Sequence, residues 1–270
     1  MTFRSAPGAR PRRFVPTLES LDQRTMPSVA VPPVVDADGI LQIRGDQQAN
    51  TILITDNGTT AVVVQDGETF DIADAFMGIR VVTGGGADDV DYVLTGDLSS
   101  VRTVDVFLGN NNDSFDADLQ GNLLAGGSLI IVARGGNGHD HLGVDATNVD
   151  IATGASLVAV LEGGNGKDDL SIDYSGLLQG SALLSANGGN GKDSVSGKVE
   201  LNSQTDETSG EVTPSDGSLT LDFRGGNGVD QMNLSVVGET TGWYFAVLDG
   251  GNGKDSFTGN ITPVDPPKPK

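Results

Sequence analysis

The stretch "GGNGKDDL" (163–170) has close copies at 135–142 ("GGNGHDHL"), 188–195 ("GGNGKDSV"), 225–232 ("GGNGVDQM") and 250–257 ("GGNGKDSF"). Taking the aspartate after the glycine turn as position zero, it falls at Asp140, Asp168, Asp193, Asp230 and Asp255. Two looser copies, "TGGGADDV" (83–90) and "LGNNNDSF" (108–115), place it at Asp88 and Asp113. Successive aspartates are 25, 27, 28, 25, 37 and 25 residues apart, and a period of that size marks a solenoid, a propeller or an array. Position +2 reads Val90, Phe115, Leu142, Leu170, Val195, Met232 and Phe257, and position −7 reads Val81, Val106, Ala133, Leu161, Ala186, Phe223 and Leu248. Both are apolar in every copy, while +1 and +3 are polar or glycine. That alternation is the signature of a strand with one buried and one wet face, so each repeat reads strand, glycine turn, strand.

Register alone extends the array backwards. In "LQIRGDQQANTILI" (41–54), Leu41 and Ile43 fall at −9 and −7, and Ile52 and Ile54 at +2 and +4, if Asn50 occupies position zero. The 37-residue gap holds "SQTDETSGEVTPSD" (203–216), polar and acidic, which reads as an insertion bulging from one coil. Two architectures satisfy the pattern: parallel stacked coils, or an antiparallel meander of hairpins, since glycine turns suit both. A membrane barrel would need aromatic girdles and an apolar outer band, and the chain has neither. The acids favour stacking. Coils repeating every ~4.8 Å would place like charges ~5 Å apart, a repulsion of about 3 kcal/mol at an effective dielectric of 20. An acid held at that position in seven copies implies a compensating cation. The expected fold is all-β: a right-handed parallel β-solenoid of about 7–8 coils with period ~26. It would span 37–262, with degenerate coils over 37–134 and regular ones over 135–262, between a disordered tail (1–36) and a flexible end (263–270).

Glycine turns adopt backbone conformations closed to residues with a β-carbon, and such turns can aim several carbonyl oxygens into one concavity. With a carboxylate, these make the hard oxygen shell that Ca²⁺ takes. The alternative is that the glycines form a tight corner and the aspartate caps it by accepting backbone N–H bonds. The pattern G-G-x-G-x-D-x-(apolar)-x resembles the nonapeptide of RTX, or haemolysin-type, calcium-binding repeats, which form a parallel β-roll. That resemblance implies Ca²⁺ held between neighbouring coils by Asp140, Asp168, Asp193, Asp230 and Asp255, with Asp88 and Asp113 as looser members. It also implies carbonyl ligands from Gly136, Asn137 and Gly138, and from their equivalents Gly164, Asn165, Gly166; Gly189, Asn190, Gly191; Gly226, Asn227, Gly228; and Gly251, Asn252, Gly253. The chain departs from that family in two ways. It carries one motif per ~26 residues instead of tandem nonapeptides, so a single ladder on one edge is expected. The residue before the aspartate is Lys167, Lys192, Lys254, His139 or Val229, and a lysine there would weaken metal affinity.

The formal net charge is −21, and residues 1–30 carry five arginines against two acids, leaving the rest at −24. Such a body repels nucleic acid and attracts cations. With no cysteine and two histidines, disulfides and thiolate metal sites are excluded. No apolar run is long enough for a membrane helix. The N-terminal stretch lacks a standard secretory apolar core, yet "RRFVPTLESLDQRTMPS" resembles a signature on exported or surface proteins of some bacteria. Secretion or surface attachment follows as an expectation, with a cell-surface glycan or protein as a possible partner. Calcium-dependent polysaccharide lyases also use β-helices, and Arg134 and Arg224 share position −6. Arginines paired with neighbouring acids explain that more simply, so the chain is expected not to be an enzyme. The reading is a calcium-binding structural or adhesive solenoid, with a metal-free scaffold of the same fold as the alternative.

Overall fold

Alternation of apolar and polar residues at a fixed register has one economical outcome, two sheets with their apolar faces turned inward. The computed structural model describes residues 31–260 except 206, 207, 209 and 239, and it has that form. One sheet stacks, in order, Ile40–Arg44, Gly78–Gly85, Val101–Asn110, Ser128–Gly138, Ser156–Gly166, Ser181–Gly191, Ser218–Gly228 and Tyr244–Asp249. The other stacks Thr51–Asp56, Asp89–Leu94, Ser114–Leu119, His141–Ala146, Asp169–Gly176, Ser194–Leu201, Gln231–Gly238 and Ser256–Thr258. One strand from each sheet makes a coil, and every coil-to-coil pairing within these two stacks is parallel. The pairing is in register with the motif: Leu142 sits on Leu170, and Asn137 on Asn165. The chain is thus a β-solenoid, and the antiparallel meander is excluded.

A single core, mostly of aliphatic side chains with Tyr92, Phe115, Tyr174 and Phe223 among them, fills the space between the sheets. The +2 residues Val90, Phe115, Leu142, Leu170, Val195 and Met232 are at most 1% exposed. Large and small residues are matched between neighbours. A β-carbon on Gly197 would lie 2.6 Å from the Phe223 ring, so glycine at +4 of one coil makes room for the aromatic at −7 of the next.

Three features depart from a plain stack. The stretch Val31–Val35, inside the expected N-terminal tail, forms a strand antiparallel to Ile40–Arg44. Pro32 and Pro33 follow its first residue, and because proline lacks an N–H it is tolerated at an outer edge; the register is interrupted between Val31 and Val34. Residues 1–30 and 261–270 lie outside the described residues. A second addition is the hairpin Ala61–Gln65 and Glu68–Ile72, which pairs antiparallel with Thr51–Asp56. Its turn, Asp66-Gly67, has φ of 50° and 85°, the doubly left-handed geometry that suits a two-residue hairpin. The third is the acidic insertion, which carries a short antiparallel ladder between Gln204–Thr205 and Val212–Thr213, in keeping with an excursion from one coil. Among the described residues, no helix is long and apolar enough to cross a membrane.

Candidate functional site

Where a coil turns from one sheet to the other, strand pairing stops for a residue or two, and the backbone N–H at position zero loses its ladder partner. A buried N–H must find another acceptor, and the aspartate one coil further on supplies it. The N–H groups of Asn50, Asp88, Asp113, Asp140, Asp168, Asp193 and Asp230 donate to Oδ1 of Asp88, Asp113, Asp140, Asp168, Asp193, Asp230 and Asp255, at 2.8–3.0 Å. The seven aspartates are brought together in one column as expected, but they point into the corner. Asp88 through Asp230 are no more than 4% exposed, and only Asp255, on the last coil, is half-buried.

Oδ1 is therefore committed, whereas Oδ2 is not. The Oδ2 atoms of Asp88, Asp113, Asp140, Asp168, Asp193 and Asp230 are buried without a hydrogen-bond donor. Those of Asp140, Asp168, Asp193 and Asp230 lie against the glycine at −5, where the parallel pairing skips a position: Arg134 pairs with Glu162 and Gly136 with Gly164, but Gly135 and Gly163 do not pair. The −5 glycine is the room that carboxylate needs. A β-carbon on Gly135 would sit 2.4 Å from Asp140 Oδ2 and 2.7 Å from the carbonyl oxygen of Gly163, and Gly163, Gly188 and Gly225 repeat this arrangement. Two acceptors, one of them anionic, thus face the same small space with no donor between them. In the second coil that space is filled: Thr83 stands at −5, and its hydroxyl donates to the Leu108 carbonyl at 2.6 Å beside Asp88. The regular coils lack this hydroxyl.

Electrostatics follows from burial. Desolvation, with the neighbouring aspartates adding to it, raises the carboxyls of Asp113, Asp140 and Asp193 from 3.8 to about 6, against the opposing pull of the backbone bond. Asp88 and Asp168 are raised for the same first reason, with the Thr83 hydroxyl pulling Asp88 back and His139 pulling Asp168 back. A group raised this way favours the neutral form, so at neutral pH the column asks for a proton or a cation.

The glycine-rich run itself is strand. Gly136, Asn137 and Gly138 pair with Gly164, Asn165 and Gly166, and these with Gly189, Asn190 and Gly191, then Gly226, Asn227 and Gly228, then Asn252 and Gly253. Their carbonyls run along the coil ladder and do not converge on a shared concavity, so an ion would find only spare lone pairs on them. The −4 glycines hold φ near +100° from Gly84 through Gly226, and a β-carbon on Gly136 would reach 2.2 Å from the Gly109 carbonyl oxygen. No larger residue fits.

The asparagine side chains do what sequence reasoning did not anticipate. Nδ2 of Asn137 donates to Oδ1 of Asn110, Asn165 to Asn137, Asn190 to Asn165, Asn227 to Asn190 and Asn252 to Asn227, at 2.7–2.9 Å. This amide ladder runs outside the corner while the carboxylate column runs inside it. Asn165→Ala removes two rungs and is expected to lower stability by about 1–3 kcal/mol, read as a shift in the urea midpoint at unchanged slope; no shift would mean the ladder is solvent-equivalent.

Around the fifth and sixth coils the corner opens outward into a groove of about 350 Å³ lined by Lys167, Asp168, Asp169, Lys192, Asp193, Ser194 and Gln231. His141 lies on the adjacent sheet face between Asp116 (3.4 Å) and Asp169 (3.6 Å), and its pKa is raised, mainly by the Asp116 bond. Arg134 pairs with Asp105 and Glu162 at 2.8 and 3.0 Å, and Arg224 with Asp222 at 2.8 Å. The opposite corner carries a second ladder that the sequence reading missed. Asn122 N–H donates to Asp97 Oδ1, Asp150 N–H to Asn122 Oδ1 and Leu177 N–H to Asp150 Oδ1. The donation runs the other way there, each acceptor coming from the coil before. The signal was the recurring leucine or isoleucine at 98, 123, 151 and 178, which bridge coil to coil.

A hard cation matches the donor set at the motif corner, an orphaned carboxylate oxygen and backbone carbonyls. Among the described residues, no group of three or more carboxylate or histidine side chains is placed to hold a metal, so an ion there would draw carboxylates from two neighbouring coils at most. Comparison with family models, with curated proteins and with solved structures finds no match.

Proposed function

We propose that this chain is an extracellular, non-catalytic β-solenoid with a structural or adhesive role, whose aspartate column takes up calcium. The observation that carries the reading is the run of six buried Oδ2 atoms without donors, four of which, on Asp140, Asp168, Asp193 and Asp230, face a carbonyl of the next coil. The resemblance to haemolysin-type repeats and the acidic body support it. Asp88, Asp113, Asp140, Asp168, Asp193, Asp230 and Asp255 would hold the ion, with the carbonyls of Gly163, Gly188, Gly225 and Gly250 contributing to its shell in the regular coils. Bound calcium supplies the positive charge that the column lacks, and rigidifies the coils by binding the folded state alone.

The test compares melting with chelator and with millimolar calcium, for the wild type and for Asp168→Asn. The wild type is expected to gain several degrees with calcium. Asparagine already stands at position zero in the first coil, where Asn50 Oδ1 accepts from the Asp46 N–H and Nδ2 donates to Asp66. Asp168→Asn should accordingly keep the fold and its Oδ1 bond while losing part of the calcium gain. A wild type indifferent to calcium removes the ion and leaves the metal-free scaffold.

A further inference from the structure

The two ends of the solenoid are finished differently. At the N-terminal end both sheets close with antiparallel additions, Val31–Val35 on one and the 61–72 hairpin on the other. Pro32 and Pro33 remove two donors from the outermost edge there, a recognised way of blunting it. At the C-terminal end, Tyr244–Asp249 and Ser256–Thr258 each have a strand neighbour on one side only among the described residues. Among the described residues, nothing covers the core at that face. Phe257 is 51% exposed where Met232, one coil back, is 1% exposed. Tyr244, Ala246 and Leu248 are half-buried where Leu219, Leu221 and Phe223 are buried. Trp243 and Phe245, 83% and 57% exposed, extend the apolar surface beyond the core.

We propose that this C-terminal face docks a second copy of the same chain, end to end about a two-fold axis. An occupant must satisfy two strand edges and cover a coil-shaped apolar cross-section, and the same face of another copy offers both. A two-fold axis across the end brings identical edge strands together antiparallel, a direction in which hydrogen-bonded pairing is fully available. At the other end the outermost strands, Val31–Val35 and Glu68–Ile72, belong to antiparallel additions that do not continue the parallel coil register, so head-to-tail stacking is disfavoured and the product is a finite pair and not a fibre. The segment that follows, "ITPVDPPKPK", is a poor alternative occupant, since its prolines at 263, 266, 267 and 269 lack the donors an edge requires. The chain's net charge of −21 opposes association at long range, and salt screens that repulsion, so the pair should tighten as salt rises.

Sedimentation velocity on the full chain, in chelator to separate this from any calcium effect, is expected to show a monomer–dimer equilibrium that shifts toward dimer with protein and salt. Phe257→Asp and Trp243→Asp alter half-exposed or exposed positions; each should return the chain to monomer with an unchanged β-sheet circular dichroism spectrum. Because the sequence has no cysteine, Thr258→Cys should crosslink to itself on oxidation, whereas Thr59→Cys, at the capped end, should not. A chain that stays monomeric through the concentration series, oligomers that grow without limit, or crosslinking through Thr59→Cys in place of Thr258→Cys would each overturn the proposal.

Discussion

Replacing Arg102 with alanine is expected to destabilise the solenoid by about 3–5 kcal/mol, the range for breaking one partner out of a buried ion pair. Arg102 and Asp56 are 1% and 0% exposed, and Nε lies 2.8 Å from Oδ2. The guanidinium also donates to the carbonyls of Phe76 and Gly58, and its centre stands 3.8 Å from the centroid of the Phe76 ring. Tyr92 donates its hydroxyl to the same carboxylate at 3.2 Å. These residues belong to the first three coils and their connections, so the arginine pins the N-terminal cap to the stack. Its loss strands Asp56 as an uncompensated buried charge, and that desolvation is the larger part of the effect. The double variant Arg102→Met, Asp56→Leu should recover much of the loss, because well-packed apolar replacements of a buried pair are often tolerated. Chemical denaturation of the three proteins decides it: equal losses in the single and double variants would mean that cavity formation, not the orphaned charge, dominates.

The second large effect is an inverted response to acid. With chelator present, melting at pH 5 is expected to exceed that at pH 7.5 by about 5 °C or more, at ~2–4 °C per kcal/mol for a domain of this size. The carboxyls of Asp113, Asp140 and Asp193 titrate near 6 when folded, against 3.8 for an ordinary aspartate. Their folded pKa is raised, so below about 4 both states are protonated and no penalty exists. The penalty grows as pH climbs from 4 toward 6 and is fully present above that. His141, also raised, contributes stability present at low pH and lost as pH rises through its folded pKa, so it acts in the same direction. Asp140→Asn separates the two, since it removes one column carboxyl and leaves the imidazole in place. That variant should flatten the profile, and saturating calcium should do the same in the wild type if the ion sits on the column. Melting that falls on acidification from pH 7.5 to 5 would mean the column is compensated at neutral pH by groups other than a proton or an ion.

The stack of coils could be read from residues such as Leu142, Leu170 and Met232 because a period of two fixes which side chains face inward, and a fixed repeat fixes which ones meet. The aspartate column was legible for the same reason. What was not legible is where the side chains of the turn point. Asn137 and Asn165 look like loop residues in a glycine-rich string, yet parallel pairing continues through them and sets their amides one above the other. The first glycine of each motif reads as part of a tight corner, whereas its role is to leave space for the carboxylate five residues on in its own coil. The hairpin at 61–72 was legible and overlooked: "VVVQDGETF" places an Asp-Gly pair between alternating residues, a strong short-range hairpin signal. Arg102 had no signal, since nothing in the sequence separates a buried arginine from a surface one until Asp56 and Phe76 are seen beside it.

The opposite sense of donation at the two corners has a consequence for biosynthesis. As the chain leaves the ribosome, the N–H groups of Asn122, Asp150 and Leu177 find their side-chain acceptors already made, so each new coil can latch there at once. At the aspartate corner the position-zero N–H must wait for a carboxylate some 25–37 residues still to come. The nascent solenoid should therefore advance like a zip with one row of teeth always a single rung behind, its growing tip half fastened until the following coil emerges.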